Sequence, residues 1–277
     1  MQETVHGELI VSSLGSGSNG NSFLVEYGAQ RVLIDAGVPI RTLLTCLSRR
    51  SLAAGNLTAA LISHEHSDHT RSLLQLTRKS SIPLLATHGT FCGMPEVRGC
   101  EQHEIQPLTS FELGRLTITP IPVAHDARDP VGFFIKCDAA SVAIMTDLGE
   151  ATEVNAEFAS RADHLIIESN YDEGMLRSGP YPAYLKRRIR SRDGHLGNEE
   201  CASFLRDIGG GRTGEIWLCH LSENNNHPDL AVTASTESLK SAGIVREITA
   251  LPRYDGNVVT WHSSQKRTSI TQSSLPL

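Results

Sequence analysis

The chain of 277 residues contains no apolar run approaching the roughly 18 residues that a membrane span needs. Residues 1–20 also lack a basic stretch followed by an apolar one. A soluble, unexported, cytoplasmic protein with no membrane partner is the expectation. Positive charge is in deficit too: 25 Lys and Arg stand against 31 Asp and Glu, a net charge of −6. No global field advertises nucleic acid or an anionic membrane, so any site for a polyanion must be local. The six cysteines include no C-x-x-C pair, which excludes a zinc ribbon, and they read as buried free thiols in a reducing compartment. No internal repeat is visible. With 39% hydrophobic and 20% charged residues, a disordered tail protein and an extended coiled coil are excluded as well.

What is present is an alternation of short strands and helices. Glu8–Leu14, Ser22–Tyr27 and Arg31–Asp35 read as an opening β-meander separated by Gly, Ser and Asn turns. Pro39–Arg50 reads as a helix, Leu57–Ser63 as a buried strand and His69–Lys79 as a helix. Further strands are predicted at Leu116–Val123, Val131–Cys137, Ser141–Thr146, Ala162–Ile167, Glu215–His220 and Val258–His262. Helices are expected from Glu150, at Gly197–Ile208 and at Leu230–Ala242. Antiparallel meanders mixed with helix-linked strands suggest an α+β fold of two sheets with helices outside. One domain over residues 1–262 and a loose polar tail over residues 263–277 are expected.

The informative segment is Leu61-Ile62-Ser63-His64-Glu65-His66-Ser67-Asp68-His69, where an apolar strand runs into three imidazoles and a carboxylate. Imidazole nitrogens and a carboxylate oxygen suit zinc and related divalent ions, and alternate residues at a strand end can point to one side. His64 and His66 would share one ion. Once the chain enters the helix, Asp68 and His69 are displaced around the turn and can address a second.

At these residues the chain resembles the metallo-β-lactamase superfamily, whose members carry H-x-H-x-D-H after a strand in a four-layer αβ/βα sandwich. The rest of the pattern follows in order. Asp35, in Ile34-Asp35-Ala36-Gly37, matches the early Asp that braces the metal loop, a structural role. His125 matches the third histidine of the first ion, Asp147 the bridging carboxylate and His220 the last ligand. Alone, each is an ordinary turn residue; the ordered set over about residues 8–262 carries the likeness. It implies His64, His66 and His125 at one ion, and Asp68, His69 and His220 at the other, with Asp147 between and Asp68 also in a catalytic role. Two ions some 3.5–4 Å apart can hold a bridging hydroxide and stabilise the oxyanion formed on attack, so hydrolysis is the expected chemistry. Redox members typically have a glutamate where this chain has His66, and nucleases with a β-CASP insertion need more than the 73 positions separating Asp147 from His220.

Two further motifs narrow the expectation. Glu168, after the strand Leu165-Ile166-Ile167, and His195, in Gly194-His195-Leu196-Gly197-Asn198-Glu199, look like the paired Glu and His of tRNase Z-type phosphodiesterases. A phosphodiester loses a poor alkoxide, which departs far more easily if an imidazolium held by a carboxylate protonates it. Six basic residues and no acid fall between Leu176 and Arg192, among them Lys186, Arg187 and Arg188, a local site for phosphates. Tyr171, Tyr181 and Tyr184 can stack on bases there. The loop Gly15-Ser16-Gly17-Ser18-Asn19-Gly20-Asn21 offers backbone amides and the donors Ser16, Ser18, Asn19 and Asn21. Asn224, Asn225 and Asn226 follow the last ligand, to brace it or to touch substrate, with Asn224 and Asn225 as the candidate substrate contacts.

Together these motifs resemble the YycJ/WalJ group of the superfamily, with Gly197 standing where that group tends to have Ser. The resemblance implies a phosphodiesterase with two divalent ions of zinc, manganese or iron. Its nucleophile would be a metal-bridging hydroxide, its general acid His195, oriented by Glu168, and its substrate DNA, degraded 5′ to 3′. A small-molecule hydrolase of a cyclic phosphodiester, thioester or lactone, or a tRNA-processing-type endoribonuclease, is the alternative.

Overall fold

The computed structural model describes residues 7–209, 211–253 and 258–264. Three strands, β1 (Ile10–Gly15), β2 (Ser22–Tyr27) and β3 (Gln30–Ile34), open the chain and lead to helix α1 (Ile40–Arg49). Strand β4 (Ala59–Leu61), helices α2 (Ser67–Thr70) and α3 (Leu73–Lys79), strand β5 (Leu84–Ala86), helix α4 (His88–Gly93) and strand β6 (Gln102–Glu104) complete the first half. The second half opens with β7 (Phe111–Leu113), β8 (Leu116–Pro122), β9 (Val131–Lys136) and β10 (Ser141–Met145), then α5 (Glu153–Arg161) and β11 (His164–Glu168). Helices α6 (Glu173–Ser178), α7 (Ala183–Ile189) and α8 (Asn198–Asp207) precede β12 (Glu215–Cys219), α9 (Pro228–Ser241), β13 (Glu247–Ala250) and β14 (Val259–His262).

The strands form two sheets, ordered β14-β1-β2-β3-β4-β5-β6 and β13-β12-β11-β10-β9-β8-β7. In each, antiparallel pairing gives way to parallel pairing at one strand, β3 in the first and β10 in the second. The two halves therefore share a topology that their residues do not announce as a repeat.

Alternation along the strands divides the apolar residues between two faces. Val11, Phe23, Val25 and Val32 of the first sheet meet Ile118, Phe133, Val142, Ile166 and Trp217 of the second in a central core. Leu24, Leu33 and Ala60 face outward onto Leu43 and Leu47 of α1 and Leu73 and Leu76 of α3. Ala143, Leu165 and Leu218 pack on Phe158 of α5, Leu205 of α8 and Leu239 of α9. With both faces covered, the middle strands are continuous apolar runs, and the molecule is the expected αβ/βα sandwich.

Several expectations shift. The helix predicted over His69–Lys79 is two helices, because the Ser72 amide donates to the Ala36 carbonyl (2.9 Å) while the Asp68 carbonyl accepts from Asn21 (2.8 Å), removing the bond that would continue the first helix. The domain edge at residue 262 coincides with the end of β14, and Ser263 still donates its amide to Leu9 (3.0 Å). The rest of the predicted tail, 265–277, lies outside the described residues. Of the six cysteines, Cys46, Cys137, Cys201 and Cys219 are buried, whereas Cys100 is half-buried and Cys92 is exposed, against the expectation. Among the described residues no helix is long and apolar enough to cross a membrane.

Candidate metal centre

The parallel half of each sheet ends its strands at one edge, where ligands gather in open α/β sheets. Asp35 follows β3, His64 lies three residues past β4, Asp147 two past β10, Glu168 ends β11 and His220 follows β12. Asp35 (φ 60°), Asp147 (φ 52°) and His220 (φ 55°) all adopt the left-handed region, a strained choice for non-glycine residues that surrounding contacts must enforce. Those contacts are visible at Asp35. Its carboxylate accepts the Ser63 amide and hydroxyl (both 2.8 Å) and the His69 Nδ1–H (2.7 Å), which ties the turn to the His64–His69 segment. Gly37 allows the Asp35 turn to touch the metal loop, since a Cβ there would fall 1.5 Å from the Asp68 carbonyl oxygen.

The donors form three sets, of which the third, Asp147, Glu168, His195 and His220, shares two members with the second. His64, His66 and His125 offer nitrogens within 4.8 Å of one another, as do the ligand atoms of Asp68, His69, Asp147 and His220. Asp147 belongs to both neighbourhoods: one carboxylate oxygen is 3.6 Å from His125 Nε2 and from His220 Nε2, and the other is 2.9 Å from His69 Nε2. His220 Nε2 lies 3.4 Å from Asp68, and His66 Nδ1 lies 3.2 Å from His125 Nε2. The far nitrogens are tied back: Nδ1–H of His64 donates to Ser63 (3.0 Å), that of His125 to the Gly194 carbonyl (3.0 Å) and that of His220 to Glu168 (2.6 Å). This orients the opposite nitrogens towards the centre, as outer partners of metal-binding histidines do.

A divalent cation fits this arrangement. His64 Nε2 is buried without any hydrogen-bond partner, an orphan that a cation would satisfy. Burial and the neighbouring His69 hold the His64 ring well below the usual imidazole range, hence neutral and ready to ligate. Burial opposes charge on His69 and His220, yet Asp147 foremost among the facing carboxylates raises both well above that range. Burial likewise opposes charge on Asp147, but His220 and His69 hold it well below the carboxylate range.

Beside the ligands, the buried Glu168 carboxylate receives four donors. One oxygen accepts Nδ1–H from His195 (2.9 Å) and from His220 (2.6 Å); the other accepts the amides of Leu148 (2.7 Å) and Leu196 (3.1 Å). Burial alone would raise its pKa, but the His195 and His220 rings lower it. His195 retains some exposure and its Nδ1 is 3.8 Å from Asp147, so the sequence pair Glu168 and His195 is brought onto the metal cluster. Sequence reasoning missed Ser63, Asn170 and Asn198. Asn170 donates to the His220 carbonyl (2.8 Å), while Asn198 and Asn226 bond each other and Ser169 behind it. Gly197 has a local cause: a Cβ would meet Glu200 at 2.3 Å and the Tyr171 ring at 2.9 Å.

The residues expected to bind substrate divide by exposure. Ser16 and Asn21 are buried; the Ser16 hydroxyl accepts the His220 amide (2.8 Å), and Asn21 accepts the Gly17 amide (2.9 Å) and lies 3.1 Å from His69 Nε2. Asn225 is also buried and donates to Ser222. Ser18, Asn19, Asn224, Arg187 and Arg188 are exposed, although Asn19 donates to Glu223 and Asn224 to the Tyr181 hydroxyl. Lys186 donates to the carbonyls of Arg177 and Gly179. Acids from elsewhere fold onto the basic segment: Arg188 pairs with Asp126, Arg190 with Glu173 and Arg192 with Glu150. Tyr171 is buried beside Leu176 and Ile189, so it packs and is no platform for a base; Tyr184 is exposed.

The sandwich, the ordered ligands and their tied-back histidines define a metal-dependent hydrolase, and the chain belongs to the metallo-β-lactamase superfamily: residues 30–220 match the family model described as a beta-lactamase superfamily domain. The metallo-β-lactamase fold protein YhfI of Bacillus subtilis superposes with a TM-score of 0.72 at 19% identity, over 92% of this chain and 99% of that one. Within the superfamily the chain belongs to the YycJ/WalJ group. It is 35% identical over 239 residues to the exodeoxyribonuclease WalJ of Streptococcus pneumoniae serotype 2, covering 84% of this chain and 89% of that protein. It is 32% identical over 236 residues to the exodeoxyribonuclease YycJ of Bacillus anthracis, with the same two coverages.

Proposed function

We propose that the chain is a metal-dependent nuclease that removes nucleotides from DNA in the 5′-to-3′ direction, with two divalent ions and His195 as general acid. The observation that carries this reading is the Glu168–His195 pair, hydrogen-bonded at 2.9 Å and set 3.8 Å from Asp147. An acid at that place serves a substrate whose leaving oxygen needs a proton, as a nucleotide's does and a thioester's does not. The names of the two relatives, both exodeoxyribonucleases matched over most of their length, support DNA as substrate. The 5′-to-3′ polarity follows the likeness to their group.

In this reading His64, His66 and His125 would hold one ion, Asp68, His69 and His220 would hold the other, and Asp147 would serve both. Nitrogen and oxygen donors of this kind suit zinc, manganese or iron. When bound, such a pair supplies ionised water near neutral pH and neutralises charge on the phosphodiester. The protein's own groups do the rest. His195 gives its proton to the departing oxygen, and Glu168 fixes the ring that carries it. Despite burial, His69 foremost holds the Asp68 carboxyl far below the ordinary range, which favours the anionic form that a ligand needs. The exposed Arg187 and Arg188 hold flanking phosphates, together with the exposed Ser18, Asn19 and Asn224. Ser16, Asn21 and Asn225 brace the loops from within.

Linear DNA labelled at either end, incubated with manganese or zinc, tests the proposal. Release of mononucleotides from the 5′ end, with circular DNA left intact, is expected. Cutting of circular DNA, preference for tRNA precursors, or turnover confined to a thioester, lactone or cyclic phosphodiester would each overturn it.

A further inference from the structure

Helix α4 carries a second set of reactive groups, separate from the metal ligands. His88 and Cys92 stand one turn apart, with His88 Nε2 3.4 Å from the Cys92 sulfur. On the other side of the ring, Nδ1–H donates to Glu104 at 2.9 Å. The topology explains the encounter: β6 runs parallel to β5 with Ala86 opposite Glu104, and α4 starts two residues beyond Ala86. A thiol, an imidazole within reach of it and a carboxylate orienting the imidazole are the parts of an activated nucleophile. Glu104 holds the His88 ring above its ordinary pKa, with Asp129 adding to the effect.

We propose that Cys92 is an activated thiol and a modification site for low-molecular-weight disulfides, with His88 as its base. His88 takes the Cys92 proton, and the thiolate attacks one sulfur of the disulfide. The new S–S bond forms as the old one breaks, and the displaced thiolate leaves with the proton from the imidazolium. One disulfide becomes one mixed disulfide and one thiol, with no other oxidant required. The remaining cysteines lack this setting: four are buried, and burial pushes the half-buried Cys100 thiol up.

The position has consequences for the metal loops. A Cβ at Gly93 would meet the Glu65 side chain at 2.5 Å, and one at Gly89 would meet Asp129 at 2.5 Å. Glu65 lies between His64 and His66 and accepts the Arg128 amide (3.0 Å), while the Thr87 hydroxyl donates to the Asp129 carbonyl (2.8 Å). A modified Cys92 therefore sits on a helix packed, with glycine at the contacts, against both loops that carry the first set of ligands.

The test exposes the full-length, metal-loaded protein to oxidised glutathione and follows each cysteine by peptide mass spectrometry. Cys92 is expected to react roughly tenfold faster than Cys100 at pH 7, and His88→Ala to lower its rate by about the same factor. Glu104→Gln should give a smaller loss. At a pH where any exposed thiol is ionised, wild type and His88→Ala should converge, which a merely structural histidine would not produce. Cys92 reacting no faster than Cys100, or an unchanged rate profile in His88→Ala, would overturn the proposal. So would zinc, added after the metal centre is saturated, blocking Cys92 stoichiometrically, since that would identify a metal chelate.

Discussion

Glu168 is the residue on which the His195 and His220 rings converge. Its oxygens accept from two imidazoles and two amides, so neither can be replaced by a donor without loss. In Glu168→Gln the amide nitrogen must face either the rings or the backbone N–H groups, and one pair loses its acceptor. His195→Ala, by contrast, touches only the acid. We expect His195→Ala to keep its metal and lose roughly 10²–10⁴-fold on DNA, yet to be almost unaffected on a p-nitrophenyl phosphodiester whose phenolate leaves unaided. Glu168→Gln should show the same dependence on leaving group and also bind metal roughly 10–100-fold more weakly, because His220 loses its outer partner. Kinetics on both substrates with metal analysis of each variant checks this. Equal losses of His195→Ala on the two substrates would make His195 a phosphate ligand.

At the level of elements, α7 turns a run of basic residues into unequal parts. Lys186 fastens the end of α6 through two carbonyls and Arg188 is paired with Asp126, whereas Arg187 is exposed with no partner among the described residues. Arg187→Glu should weaken DNA binding uniformly across sequences and lower the slope of log affinity against log salt by about 1 for each phosphate no longer neutralised. Lys186→Ala should instead lower thermal stability with little change in that slope. Titrations at several salt concentrations distinguish the two. This inequality was not legible in the sequence, where the acids that neutralise the segment lie far away in the chain. The long apolar strands were legible, as was the cluster of candidate ligands, because H-x-H-x-D-H after Leu61-Ile62 is local and chemically unusual. Strand β6, with all three residues exposed, has no alternation to read, and β5 is only three residues long. Asn170 and Asn198 escaped for a related reason: polar residues in turns are common, and only the fold shows that these are buried behind His220.

For the whole molecule, the metal centre is the seam between the two halves. Asp35, His64, His66, Asp68 and His69 come from the strand ends and connections of the first sheet, and His125, Asp147, Glu168, His195 and His220 from those of the second. Ions that bind only the folded chain at 100 times their dissociation constant add about 2.7 kcal/mol each. Each kcal/mol moves the melting temperature of a domain this large by roughly 2–4 °C. Chelation should therefore lower Tm by about 5–10 °C for each ion removed, and two equivalents of manganese or zinc should restore it. The effect should shrink on acidification. Carboxylates raise the His69 and His220 pKa values, so both rings favour the protonated form as pH falls, and an ion must displace those protons to bind. Asp147→Ala, which removes the carboxylate common to both neighbourhoods, should abolish recovery by the second equivalent. Scanning calorimetry of the stripped and reloaded protein at pH 6 and pH 8 provides the check. A Tm indifferent to chelation at both values would mean that the halves are held by the central core alone and that the ligands form no dinuclear site.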